Sequence, residues 1–346
     1  MHRSNITLQK LADKGGTVHI PAGTYWMHDA LHLRSGTRLI GEPGTILKKV
    51  PSVTSEIVPW IGFGQYEFAV KEPGKFKPGM GVIIADKNAF GFYETAATIV
   101  GRKGDQFFID RPLAHDYAGR NGGHVTSVHP LISCRNASDV SVRNIVIDGN
   151  HPKETRGING CRGGGLFLQY SNRVEIAGVE VRHMNGDAIS FQQSTDVRIH
   201  DCHLHHNTGG GLHPGSGSVR YVMANNRIEH NGGCGIFYCL RTKYSICEDN
   251  RIAHNGRDGI SIGERDTDHI VRRNRITGGI VFREPAWESG DRVWLEANTV
   301  DHITLERDIH QVCITGNDVE RIHVGPGCTG IYLAGQPCAV SWFIVA

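Results

Sequence analysis

The chain contains no run of about 18 consecutive apolar residues, the length at which a stretch reads as a membrane-crossing helix. A helical span is thereby excluded, and no membrane partner is expected. Charge of one sign is also missing: 37 Lys and Arg are scattered among 35 Asp and Glu, for a net charge of +2. Duplex nucleic acid would call for a basic face or stripe, so no nucleic-acid partner is expected. Proline is scarce at 13 residues while glycine reaches 44, which describes a chain rich in tight turns that is neither collagenous nor disordered. The nine cysteines include no Cys-x-x-Cys and show no zinc-ligand spacing, which predicts mostly buried thiols. No compact set of carboxylates marks a calcium site, so no cofactor is expected and calcium stays an open alternative that the sequence does not support. The opening Met1-His2-Arg3-Ser4-Asn5-Ile6-Thr7 lacks the apolar core of a secretory leader.

What the chain does have is a repeat. Asn185-Gly186, Asn207-Thr208-Gly209, Asn231-Gly232 and Asn255-Gly256 succeed one another at spacings of 22, 24 and 24 residues. Each precedes a short apolar strand, at 188–191, 211–214, 235–238 and 259–262. A second series, Asn226, Asn250 and Asn274, each followed by Arg-Ile, recurs at 24. Periods of roughly 20 to 50 residues belong to solenoids and propellers; a propeller blade needs about 40 or more, and a leucine-rich repeat needs its leucine consensus. Strand, turn, strand, Asn-Gly turn, strand is therefore read as one coil of a parallel β-helix. Asn suits the turn because its short amide tolerates left-handed backbone and bonds to its equivalent one coil away. His206, His230 and His254 sit just before the turn Asn in successive coils and are read as stacking positions. The coils are expected over 133–346. Residues 1–49 hold the first coils and a short amphipathic helix at 8–13, which protects the open end of the solenoid. Between 50 and 132 the repeat is lost, and 76–86, 97–100 and 106–110 read as antiparallel strands of an inserted β subdomain.

Gly15-Gly16-Thr17-Val18-His19-Ile20-Pro21-Ala22-Gly23-Thr24-Tyr25 and the repeated coils resemble the pectate-lyase-like superfamily, over nearly the whole chain outside the insertion. That resemblance implies an all-β fold, a right-handed parallel β-helix solenoid with an N-terminal capping helix. The superfamily contains polysaccharide lyases, polygalacturonase-type hydrolases, uronan C5-epimerases and phage tailspikes. It therefore implies a polysaccharide or oligosaccharide partner without choosing a reaction. Asn185-Gly186-Asp187 is similar to a reduced form of the polygalacturonase Gly-Asp-Asp, and Gly210-Gly211-Leu212-His213 resembles its Gly-His-Gly one coil on; the second Asp and the later Arg-Ile-Lys are missing. His213-Pro214 resembles, in inverted order, the Asp-Pro-His of mannuronan epimerases. The expected setting is secreted or periplasmic, and the expected state a monomer or small homo-oligomer.

Side chains alternate faces along a strand, and strands in a sheet lie about 4.8 Å apart, so aligning the coils predicts ladders on the outer surface. With Gly165, Ala188, Gly211, Gly235, Gly259 and Gly279 in register, one outward ladder reads Phe167, Ser190, His213, Phe237, Ser261, Val281. The next reads Gln169, Gln192, Gly215, Cys239, Gly263, Arg283. The result is a groove in which Ser190, Gln192, Gln193, Phe237, Arg265 and Arg283 would contact a sugar. The leading reading is β-elimination of a uronic-acid-containing polysaccharide, with His213 as base and Arg241 or Lys243 neutralising the uronate carboxylate. Tyr238 would be the acid if it faced outward, although its register groups it with core residues. A second reading is hydrolysis by carboxylates drawn from Asp187, Glu264, Asp266 and Glu284, the last two Glu lying one rung apart. Turn capping by Asp187, and an ion-pair lattice of Glu264 and Glu284 with Arg265 and Arg283, are the structural alternatives. A third reading is a non-catalytic glycan-binding or tailspike-like module.

Overall fold

The computed structural model describes residues 5–89, 91–151, 161–285, 290–335 and 339–342. It is a parallel β-helix, as the repeat predicts. One face is a sheet of 11 strands running from Thr17–Ile20 to Tyr332–Ala334, and its register advances one coil at a time, as in Val174↔Val197↔Tyr221. The other two faces merge into a 19-stranded sheet because the chain bends between them without leaving the ladder. One of these two faces carries the candidate site. Its strands, in stacking order, are β1 (Leu31–Leu33), β2 (Ile132–Arg135), β3 (Leu166–Gln169), β4 (Ile189–Gln192), β5 (Leu212–Gly215), β6 (Ile236–Phe237), β7 (Ile260–Ile262) and β8 (Ile280–Phe282).

Inside the coils, Leu166, Ile189, Leu212, Ile236, Ile260 and Ile280 form a fully buried column. Each such side chain contributes about 1.5–3 kcal/mol by leaving water. The turn asparagines stack as the sequence predicts. The Nδ2 of Asn226 donates to the Oδ1 of Asn250 at 3.0 Å, and that of Asn250 to Asn274 at 2.9 Å. Asn207, Asn231 and Asn255 repeat the pattern at 2.9 and 3.0 Å. One detail is corrected: the left-handed residue is the one before each ladder Asn, including His206, His230 and His254, each with φ of 54°. That kink turns the Asn side chain inward to the ladder, while the histidines stack with ring centroids 5.2 and 5.1 Å apart.

Helix α1 (Asn5–Ala12) closes the first coil, burying Leu8 and Ala12 in the core. Its Gln9 side chain accepts from the N–H of His32 at 2.8 Å and donates to its carbonyl at 2.9 Å, which satisfies the free edge of β1. Between β1 and β2 the chain leaves the solenoid to build a six-stranded antiparallel sheet from strands lying between Thr54 and Thr126. This sheet has its own core, in which Phe68 and Phe107 stack at 5.1 Å. It is tied to the first coil where the Thr98 hydroxyl donates to Asp29 at 2.7 Å.

Candidate functional site

The site begins with glycines. Gly209, Gly210, Gly232 and Gly233 occupy the turn column ahead of β5 and β6, and they line a cleft of about 330 Å³ together with Cys161, Asp187, Thr208, His213, Phe237 and Arg257. A Cβ at Gly209 would lie 2.4 Å from Asp187 Oδ1, and one at Gly233 would lie 2.9 Å from the Gly209 backbone. Only bare backbone fits this floor, and its absence of side chains is what leaves room for a ligand.

Asp187 and His213, which the sequence places on successive coils, meet here. Asp187 Oδ1 accepts the N–H of Gly210 at 2.7 Å, and its Oδ2 lies 2.7 Å from His213 Nδ1. The carboxylate is thus a turn cap and a histidine partner at once. The ring is largely enclosed, and Nε2 is buried without a hydrogen-bond partner. Burial alone would lower the imidazole's pKa. The charge and hydrogen bond of Asp187, with a lesser contribution from the neighbouring Cys239 thiol, outweigh it and raise the ring from 6.5 to about 10. Phe237 packs edge-on against the imidazole at 5.2 Å, and the Arg283 guanidinium covers the Phe237 ring at 4.4 Å.

The predicted register holds for Phe167, Ser190 and His213, for Gln169, Gln192 and Gly215, and for Phe237, Ser261 and Val281, but the open groove drawn from it does not. Ser190 and Ser261 are fully buried, and Gln192 is 2% exposed. Longer neighbours fold over the small residues: Gln192 donates to the Ser190 hydroxyl at 3.0 Å, and Arg283 donates to Ser261 at 2.7 Å and to the Tyr238 carbonyl at 2.8 Å. Gln192 lies in the space left by Gly215, where a Cβ would come within 2.5 Å of it. Ser190 and Gln192 are therefore covered, whereas Arg283 is half-buried over the Phe237 ring. Gln193 is half-buried in the left-handed turn after β4 and accepts from Gln169 at 3.3 Å.

Several expected participants lie elsewhere. Tyr238 is wholly buried and belongs to the core. Asp266 is also wholly buried: it accepts from the N–H and hydroxyl of Thr242 at 2.9 Å each and from the N–H of Gly263 at 3.1 Å, so it locks a turn. Burial raises its carboxyl to about 6 despite those bonds. Arg241 is exposed at the corner after β6, and Lys243 starts a strand of the 11-stranded sheet around that corner; neither lines the cleft. Glu264 lies 4.0 Å from the adjacent Arg265, but Glu284 pairs with Arg307 at 3.4 Å while Arg283 bonds to Ser261 and the Tyr238 carbonyl, so the expected lattice of these four residues does not form. The cation at the cleft is Arg257, which the ladder alignment overlooked. Its signal was present in the sequence, since Arg257 interrupts the column of Gly209 and Gly233.

Residues 130–300 match the family described as "Right handed beta helix region". No curated protein matches the chain. Among solved structures, the chain is similar to the A-module of the Azotobacter vinelandii mannuronan C-5 epimerase AlgE4, at 15% identity with a TM-score of 0.56, covering 99% of this chain and 96% of that one. The A-module of AlgE6 from the same organism is similar at 15% identity and a TM-score of 0.56, covering 98% and 92%. At this identity the likeness establishes the right-handed β-helix fold and leaves the chemistry to the site itself.

Proposed function

We propose that this right-handed β-helix protein is a glycan-modifying enzyme that cleaves a uronic-acid-containing polysaccharide by β-elimination, with His213 as the proton-transfer group. The observation that carries this reading is the Asp187–His213 pair at 2.7 Å, with an unpartnered Nε2, beside a glycine-floored cleft that Arg257 also lines. Asp187 fixes the ring's tautomer by occupying Nδ1, which leaves Nε2 as the working atom. Because Nε2 is shut off from solvent in the free protein, with the Phe237 ring and the Cys239 thiol beside the imidazole, proton transfer on this reading requires those neighbours to give way.

In the neutral ring, the Nε2 lone pair takes the C5 proton. Arg257 pairs with the C6 carboxylate as negative charge builds on it. The electrons of the C5–H bond become the C4–C5 double bond, the C4–O4 bond breaks, and the proton on Nε2 passes to O4. One histidine thus serves as base and then as acid, which suits a cleft whose other candidate acid, Tyr238, lies in the core. Hydrolysis by a carboxylate pair has less support, because Asp187 is the one carboxylate among the cleft-lining residues. Epimerisation, the activity in the names of the AlgE4 and AlgE6 modules, would start with the same proton abstraction and end with a proton returned to C5.

The test is a screen of purified protein against uronic-acid and neutral polysaccharides, reading ultraviolet absorbance and reducing ends together, with His213→Ala as control. Absorbance that rises with reducing ends and vanishes in the variant supports elimination. Reducing ends alone would sink it in favour of hydrolysis. Solvent deuterium appearing at C5 with neither signal would move the assignment to epimerisation.

A further inference from the structure

The inserted subdomain holds a second cleft, of about 530 Å³, lined by Glu56, Trp60, Lys71, Gly119 and Arg120 among others. That size falls within the roughly 300–1,000 Å³ of ordinary ligand sites. Strand alternation turns Ile61 into the subdomain core and Trp60 outward, where 52% of the tryptophan is exposed. Trp60 pairs across the strands with Ala118, and its ring lies against Gly62, where a Cβ would come within 2.8 Å of it. Small neighbours thus seat the ring without covering it. A bare floor recurs here as at the His213 cleft, since a Cβ at Gly119 would lie 2.6 Å from the Ile57 carbonyl.

The loop after Trp60 is pinned in advance. The Gly62 N–H donates to the Gln65 side chain at 2.9 Å, that of Phe63 to Asp116 at 2.7 Å, and that of Gly64 to the Leu113 carbonyl at 2.9 Å. Phe63 and Tyr66 in this loop are exposed as well. Presenting large aromatic side chains to water on a fixed loop gains nothing for folding, and it marks a recognition surface. What that surface takes follows from the mix of groups. A protein or other apolar partner would strip water from the ionised Glu56, Lys71 and Arg120 without replacing it. A sugar satisfies both kinds of group: its C–H face lies on the indole, whose π cloud is negative, and its hydroxyls bond to the charged rim. Glu56 and Lys71 pair with each other at 2.7 Å, whereas Arg120 has no partner among the described residues, which leaves the rim one uncancelled positive charge.

We infer that this cleft is a second glycan-binding site, in which Trp60 stacks on a pyranose ring and Arg120 faces its carboxylate. The site gives the inserted subdomain its own hold on the polysaccharide, apart from the His213 cleft. The choice of a uronate as its ligand rests on the proposed function.

Binding separates this site from catalysis, and Trp60 reports its own occupancy by fluorescence. In a His213→Ala background, so that no probe is consumed, oligogalacturonate, oligomannuronate and their carboxyl-reduced forms are titrated by calorimetry and tryptophan emission. Melting temperature and sedimentation are followed alongside. The parent is expected to bind the oligouronates with a change in emission. Trp60→Ala and Trp60→Leu are expected to lose that change and at least about tenfold in affinity at one class of site. Leu keeps the apolar cover without the π face, so it should melt as the parent does, and an affinity preserved in it overturns the stacking. Arg120→Gln is expected to weaken oligouronates about threefold and leave the reduced forms unchanged; an equal effect on both overturns the carboxylate assignment. Affinity unmoved in Trp60→Ala, or a parent that binds none of the probes, overturns the site. A parent that sediments as a dimer which Trp60→Ala splits also overturns it, since the cleft would then face a second copy. Trp60-dependent binding without turnover in wild type removes the proposed reaction alone, whereas turnover in wild type with Trp60-independent binding removes this site alone.

Discussion

Replacing Asp187 by Asn isolates the pair on which the proposed chemistry depends. The amide keeps the shape of the carboxylate and can still accept the Gly210 N–H, but it removes the negative charge 2.7 Å from the His213 ring. That charge helps lift the ring from 6.5 to about 10. At about 1.4 kcal/mol for each tenfold change in proton affinity, the linkage is worth on the order of several kcal/mol. The folded ring binds its proton more tightly than the unfolded one. The resulting stability is therefore complete below pH 6.5 and is lost as pH rises through about 10. Urea unfolding of wild type and Asp187→Asn, repeated from about pH 6 to about pH 10, is expected to give two curves far apart at the acid end that converge at the alkaline end. The difference between the curves cancels the other titrating groups. Curves that stay parallel would show that Asp187 does not hold the proton on His213, and the account of the site would fail with it.

On the proposed reading the same proton governs the rate. If His213 acts as the base, kcat/KM for an oligouronate rises about tenfold per pH unit up to about 10, whereas an essential acid would give a fall beyond that point. Asp266→Asn should retain activity and lose about 1–3 kcal/mol, because an amide nitrogen would face the Gly263 N–H; calorimetric melting with an activity assay checks both halves. Asn250→Ala strands the buried N–H of Asn226, leaves its Nδ2 with the Ile199 carbonyl alone and breaks the ladder toward Asn274, so a loss of about 2–5 kcal/mol is expected in urea titrations. Arg257→Gln should depress kcat/KM on oligouronates and leave thermal stability within about 0.5 kcal/mol, as an exposed cleft residue would.

The coil period, the Asn ladders, the stacked histidines and the register of the site face were all legible in the sequence, because each is a local choice repeated at fixed spacing. A turn residue that succeeds once succeeds again one coil later, and repetition makes the choice visible. The proximity of Asp187 and His213 was half legible: their coils and columns could be named, but their 2.7 Å contact depends on a side-chain direction set at the turn. Exposure was read wrongly for Ser190, Gln192 and Asp266. Alternation along a strand gives the face a side chain leaves from, while its neighbours decide whether it stays covered. The groove cations were misplaced for a related reason, since Arg241 and Lys243 lie beyond a corner that the spacing alone did not reveal.

By itself, then, the sequence determined the solenoid, its registers and which residues share a column, since these follow from backbone geometry and a periodic pattern of apolar and turn residues. Only the tertiary structure decided what is reachable. It covers the mid-strand serines, buries Tyr238 and opens the cleft over Gly209 and Gly233. Those outcomes depend on side chains from coils and subdomains distant in sequence competing for the same space, and no single period encodes that competition.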